Sequence, residues 1–318
     1  MNPALGVTLK IVSALLFTGM STLIKSLGTS VPTGEVVFAR SLFAILPILT
    51  YVCWRVSRER TGSGLMSGIA AALHTNRPFG HVRRGAIGCC AMGTSFFALT
   101  LLPLSDAITI GYAAPLVTVL LAPFLLGEKV GIYRTSAVIV GFVGVLLVLS
   151  PHLFSGAVDR GDSAALGALV ALLSAFCTAL AMIQIRALTS SESTMAITFY
   201  FSLSGTIFGL LSLPFGWAVP EVLDMAKLVT IGIIGGVAQI FLTESYRHAP
   251  TSVIAPFDYT SLLWAVGLGY LVFGDVPEQI VLAGAAVIIA SGLYVIYRER
   301  KLGFERAKQR KAGGIPLA

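Results

Sequence analysis

Charge is what this chain has least of. Only 22 basic and 15 acidic residues are spread over 318 positions, or 12%, where an ordinary soluble domain carries roughly 25%. So few charges cannot cover the surface of a 33.4 kDa globule, which excludes a soluble enzyme. The net charge of +7 does not signal nucleic-acid binding, because the basic residues sit in loops between apolar runs. Cysteine and histidine are scarce too. Cys53, Cys89, Cys90 and Cys177 lie inside apolar stretches, His74, His81, His152 and His248 lie in loops or near span ends, and neither set has metal-ligand spacing. No P-loop, zinc motif or paired nucleophile and base is present. The sequence therefore carries no expectation of a catalytic residue, a metal or a cofactor. A cleavable leader is not expected either, since no basic segment precedes the first apolar run, which itself contains Lys10 and Lys25.

Apolar residues are abundant, at 56% with a mean hydropathy of +0.87, which also excludes disorder. A bilayer core needs roughly 20 apolar residues of helix. Ten such runs are found, at 5–26, 34–54, 84–103, 105–126, 132–151, 163–185, 194–213, 227–246, 251–273 and 278–297. The predicted fold class is an all-α membrane protein of ten transmembrane helices. Lys and Arg then orient it. Counting Arg55, Arg58, Arg60, Arg77, Arg83 and Arg84 after span two, Lys129, Arg134, Arg186 and Arg247 in later loops, and the tail beyond residue 297, 17 basic residues fall on one side. Only Arg160 and Lys227 fall on the other. Both termini are predicted to be cytoplasmic, with the basic tail as a topology anchor.

The chain repeats itself. An offset of 147 residues pairs Pro103 with Pro250, Ser105 with Ser252, Tyr112 with Tyr259, and Gly127-Glu128 with Gly274-Asp275. This divides the sequence into a first five-span repeat over 1–151, a linker over 152–162, a second repeat over 163–297 and a tail over 298–318. An odd number of spans per repeat turns the second upside down. The arginine-rich loop after span two is matched after span seven by Glu221, Asp224 and a single Lys227. Inverted repeats are a mark of secondary transporters, whose sites lie near the midplane between the repeats.

Three stretches carry a family resemblance. Ala113-Ala114-Pro115-Leu116 followed by Phe124-Leu125-Leu126-Gly127-Glu128 resembles the span-four signature of the drug/metabolite transporter superfamily, EamA type. Glu35-Val36-Val37-Phe38-Ala39-Arg40 is similar to its opening of span two, and Ala255-Pro256-Phe257-Asp258-Tyr259 through Phe273-Gly274-Asp275 fits its second repeat. The resemblance implies a ten-helix carrier of a small metabolite in a bacterial cytoplasmic membrane, and the look of the chain is similar to the riboflavin importers of that group. Its partners would be a small-molecule substrate and the lipid bilayer, with no nucleic acid; a monomer and a homodimer both fit.

Candidate site residues are the polar and aromatic groups at membrane depth, where polarity is costly and tends to face a cavity or bundle interior. Arg40 lies about 9 Å into span two and is poorly placed to pair with Glu35, five positions earlier, so it needs a partner on another helix or a substrate anion. Asp258 has no basic neighbour within a helical turn, and an isolated carboxyl is costly there when charged, which makes it the candidate for proton coupling. Glu244 is expected to pair with Arg247 at i+3. Gln184 and Gln239 can bond a substrate or a neighbouring helix. Tyr112, Tyr259 and Trp264 suit a flat aromatic ligand, or else ordinary packing. Gly205 with Gly209, and Gly232 with Gly236, permit close helix approach, while Pro115, Pro123 and Pro256 interrupt spans four and nine.

Overall fold

The structure, a computed structural model, describes residues 3–58, 65–126, 132–153, 161–189, 191–248 and 254–312. The Gly127-Glu128 motif and most of the expected linker lie outside these residues. Every regular element among the described residues is helical. In chain order they are α1 (Pro3–Leu27), α2 (Thr33–Arg58), α3 (Leu65–Leu73), α4 (Pro78–Leu101), α5 (Leu104–Gly111), α6 (Ala113–Leu126) and α7 (Ile132–Leu153). Then follow α8 (Gly161–Thr189), α9 (Thr194–Leu210), α10 (Val222–His248), α11 (Thr260–Phe273) and α12 (Gln279–Ala312). Short 3₁₀ turns stand at Leu213–Phe215 and Ala255–Tyr259.

Among the described residues, six helices are long and apolar enough to cross a membrane, beginning at Ala4, Thr33, Pro78, Ser163, Thr194 and Val222. Shorter apolar helical stretches cover Thr135–Pro151, Phe257–Phe273 and Gln279–Tyr294. The outer surface is apolar as well: Phe124 is 84% exposed and Leu271 78%. In water such a surface would be an aggregation patch; in lipid it is the ordinary face of a spanning helix.

Two expected spans are not continuous. Span four is broken at Tyr112 into α5 and α6, and span nine contains the 3₁₀ turn Ala255–Tyr259 before α11. The two breaks fall on the residues paired by the 147-residue offset. Two further differences concern the ends. The loop after span two contains α3, a helix of nine residues too short for the length criterion by which spans were sought. The last helix runs on through the basic tail to Ala312, because Lys, Arg, Glu and Gln are good helix formers once the chain is clear of the bilayer.

Packing joins the two halves of the chain. α1 lies along α10, α4 along α8, α2 against both α9 and α10, and α7 along α12. The close approaches are made at small residues, as expected for helices without a hydrophobic drive to associate in lipid. A Cβ on Gly209 would stand 2.6 Å from the Cα of Phe38, one on Gly236 2.5 Å from the Pro47 side chain, and one on Gly144 2.9 Å from the Gly284 carbonyl oxygen.

The bundle has two distinct ends. At one, Lys25 donates to the Leu102 carbonyl at 2.7 Å and approaches Asp275 at 3.8 Å, and Lys227 reaches the Ser26 carbonyl at 3.3 Å and Asp224 at 3.2 Å. At the other, the Tyr51 hydroxyl donates to Glu244 at 2.6 Å, Arg55 approaches the same carboxylate at 3.7 Å, and the Asn76 N–H donates to Glu192 at 3.0 Å. Glu244 thus bonds across to α2, with His248 at 4.0 Å from its own helix. The expected partner, Arg247, lies outside the described side chains.

Candidate functional site

Three groups of polar side chains stand out, two within the bundle and one at its end, and each is positioned by a different part of the fold. The deepest is built on α2, α4 and α9. Arg40 projects from α2 and Arg84 from α4; they are 4% and 6% exposed. Their guanidinium carbons lie over the ring of Phe201, from α9, at 5.6 Å and 4.0 Å from its centroid, within the cation–π range of roughly 6 Å. The Nε atoms of both arginines, the Nη1 of Arg84 and the Ser41 hydroxyl have no hydrogen-bond partner. Neither arginine forms an ion pair among the described residues. Cys89 and Met92 complete the apolar wall on the α4 side.

Glycines make the room. A Cβ on Gly88 would collide with Arg84 Nη1, and one on Gly235 of α10 would come within 3.2 Å of Arg40 Nε. Glu35, the nearest carboxylate to Arg40 in sequence, is turned away and accepts from the Ala218 N–H at 3.2 Å.

Arg84, a loop charge by sequence, lies inside α4. The helix starts six residues earlier, at Pro78, with proline in its first turn. Asn76-Arg77-Pro78 is a readable helix start, but Arg83 and Arg84 depress the hydropathy there and shift the expected span to a later start.

The second group surrounds the two helix breaks. Tyr112 and Tyr259 pack edge to face with centroids 5.2 Å apart. The Tyr112 hydroxyl lies 2.6 Å from Ser261 Oγ and donates to the Tyr259 carbonyl at 3.4 Å, so it ties the first break to the second. The Tyr259 hydroxyl fills the space that a Cβ on Gly292 would need. Beside them, Lys10 Nζ of α1 stands 2.7 Å from Asp258 Oδ1, with side chains 3% and 47% exposed. Asp258 is therefore not isolated. Its partner comes from a helix nearly 250 positions away, which no search within one helical turn could find.

The third is a cleft of about 480 Å³ at the Arg77 end, bounded by Arg77, Phe79 and Arg83 from the start of α4 and by Gln184 and Leu188 from α8. Gln184 is buried with an unpartnered Oε1. Gln239 is half-buried on α10 and Trp264 stands on α11 with an unpartnered indole N–H. Among the sequence candidates, then, Tyr112, Tyr259 and Asp258 come together. Arg40 is joined instead by Arg84 and Phe201, which the sequence reading did not single out. Pro123 and Pro256 lie outside the described side chains.

Near the same end, His81 Nε2 lies 3.4 Å from Glu192 and its ring is 4.8 Å from that of Tyr200. Burial alone would raise the Glu192 carboxyl, but hydrogen bonds from the Asn76 N–H, His81 and Thr75 outweigh it and hold the group below its ordinary value.

Comparison with known proteins follows the same lines. The EamA-like transporter family profile matches twice, over residues 4–150 and 165–298. An S-adenosylmethionine uptake transporter of Rickettsia prowazekii is 29% identical over 87% of each chain. The pseudopaline exporter CntI of Pseudomonas aeruginosa is 28% identical over 90% of this chain and 94% of its own. A riboflavin transporter of Rhizobium johnstonii is 31% identical over 73% of this chain and 74% of its own. One crystal structure superposes on 95% of this chain and 99% of its own with a TM-score of 0.63 at 18% identity, a likeness of fold alone.

Proposed function

Starting from the fact that the chain belongs to the EamA-like transporter family, we propose that it is a secondary carrier moving a small organic metabolite across the bacterial inner membrane by alternating access. It is a multi-pass membrane protein, and its family and relatives are transporters, not enzymes. The finer reading is ten spans in two inverted repeats, with both termini cytoplasmic. One observation carries it furthest. The discontinuities of spans four and nine fall on repeat mates, Tyr112 and Tyr259, and the two broken segments touch. Broken helices at the repeat interface are where carriers of this architecture place their substrate and coupling sites. The pairing of α1 with α10 and of α4 with α8 also supports it, since exchanging the halves turns one contact into the other.

Arg40, Gln184, Gln239, Tyr112, Tyr259 and Trp264 are proposed to line the transport path. Asp258, held by Lys10 at the second break, is proposed to bind the coupling proton. Rescue of a riboflavin auxotroph, followed by a labelled panel including S-adenosylmethionine in proteoliposomes, tests the carrier. Saturable flux of any panel member supports it. Saturable binding without flux would replace it by a non-transporting sensor. Riboflavin import is the first arm because Tyr112, Tyr259 and Trp264 offer aromatic surface, and export of an amino acid or drug is the alternative direction.

A further inference from the structure

We propose that Arg40 and Arg84, over the ring of Phe201, form an oxyanion subsite in the bundle interior that takes the carboxylate or phosphate group of the transported metabolite. This deepens the carrier reading and rests on it. Two guanidinium groups more than nine-tenths buried, with three N–H nitrogens orphaned between them and an unpartnered Ser41 hydroxyl beside them, are costly. Buried charges persist when something opposite is paired with them. Phe201 answers only part of that demand. A ring face attracts a cation but offers no lone pairs to in-plane N–H groups. An oxyanion offers several lone pairs, and arginine's planar fork is suited to planar carboxylates and phosphates alike.

The place is also built for close approach. Gly88 and Gly235 leave the space the guanidinium groups occupy. Arg40 starts from one end of its helix and Arg84 from the opposite end of the bundle. They converge on Phe201, the eighth residue of a helix of 17, near its middle. The elements concerned come from both halves of the chain, so a rearrangement between the halves would reshape the subsite.

The test is thermal unfolding of the purified full chain in phosphatidylcholine nanodiscs at constant ionic strength set with sodium chloride. Succinate and inorganic phosphate are titrated as probes, with succinamide as the uncharged control. A ligand that binds only the folded state raises its stability with the logarithm of concentration. The expected result is a saturable rise in melting temperature with at least one oxyanion, of about 2 °C or more, and none with succinamide. The larger saturable shift separates carboxylate from phosphate. Arg40→Gln and Arg84→Gln are each expected to abolish the increment while melting, without ligand, at or above the parent temperature, because each removes an uncompensated charge. A purely structural pair would make both variants melt lower, and that would overturn the proposal. So would an oxyanion effect no larger than that of chloride, or an increment that survives in both variants. Flux separates the two readings. Oxyanion stabilisation without flux of any metabolite retains the subsite and removes the carrier, whereas flux without oxyanion stabilisation does the reverse.

Discussion

Lys10 is 2% exposed, and its pairing with Asp258 at 2.7 Å decides what that carboxylate does. Asp258→Asn would leave a buried cation facing an amide. Breaking a fully buried pair costs about 3–5 kcal/mol, and because Asp258 is half exposed we expect about 1–3 kcal/mol here. Asp258→Asn combined with Lys10→Met should recover part of the loss, as unfolding in a double-mutant cycle would show; strictly additive losses would mean the contact carries no energy. For coupling, pH-independent flux in Asp258→Asn with retained pH dependence in Asp258→Glu is the expected pattern, and unchanged pH dependence in both would remove Asp258 from that role. Glu192 gives a second residue-scale expectation. A carboxyl held below its ordinary value in the folded state contributes stability above the unfolded value of 4.5, lost as pH falls through the lower folded value. Amide exchange around residues 72–80 should therefore accelerate on acidification below about pH 4.5, less so in Glu192→Gln, and equal acceleration in both would contradict the assignment. At this scale the sequence was half legible. The cost of a buried charge marked Arg40 and Asp258, but the partners that explain them, Arg84 and Lys10, come from other helices, and contacts at that separation leave no periodic trace.

Helix interfaces are set by where a Cβ cannot fit. A Cβ on Gly209 would stand 2.6 Å from the Phe38 backbone, whereas nothing lies within 4 Å of the Cβ position at Gly19 in α1. Gly209→Ala must push α2 and α9 apart, at about 1–3 kcal/mol. Gly19→Ala gains helix propensity, up to about 1 kcal/mol. Opposite signs in an unfolding measurement are expected, and equal effects would mean that α2 and α9 are less closely packed than described. The glycine spacings on α9 and α10 were readable as close-approach signals, though which helix they would meet was not; both meet α2. The breaks in spans four and nine were legible as prolines inside apolar runs. Their form was not, since hydropathy reports whether a stretch is apolar and is blind to a helix that stops at Tyr112 and starts again one residue later. α3 and the continuation of α12 escaped for the same reason: neither is a run of about 20 apolar residues.

At the scale of the molecule the two ends carry different chemistry, with Arg55, Arg58, Arg77 and Arg83 at one and Lys25, Asp224, Lys227 and Asp275 at the other. With Arg84 in the interior, 16 of the 17 basic residues counted by sequence still fall on one side, the asymmetry on which the proposed orientation rests. Reporter fusions at Arg77 and Lys227 should report opposite sides of the membrane; the same side would end the inverted-repeat reading. The all-helical membrane class could be read from hydropathy and charge, because the bilayer imposes length and polarity on each helix separately. The substrate could not, because it depends on which side chains converge. As proposed above, a carrier of this kind exposes one site to each side of the membrane in turn. Counterflow in proteoliposomes tests it most directly, with S-adenosylmethionine, riboflavin and pseudopaline each loaded inside and supplied as label outside. Alternating access predicts that a transported compound, loaded inside, accelerates saturable entry of its labelled form, and that Arg40→Gln weakens this about tenfold or more, the factor for losing 1.4 kcal/mol of binding. Saturable binding of a panel member with no entry, loaded or empty, would contradict it.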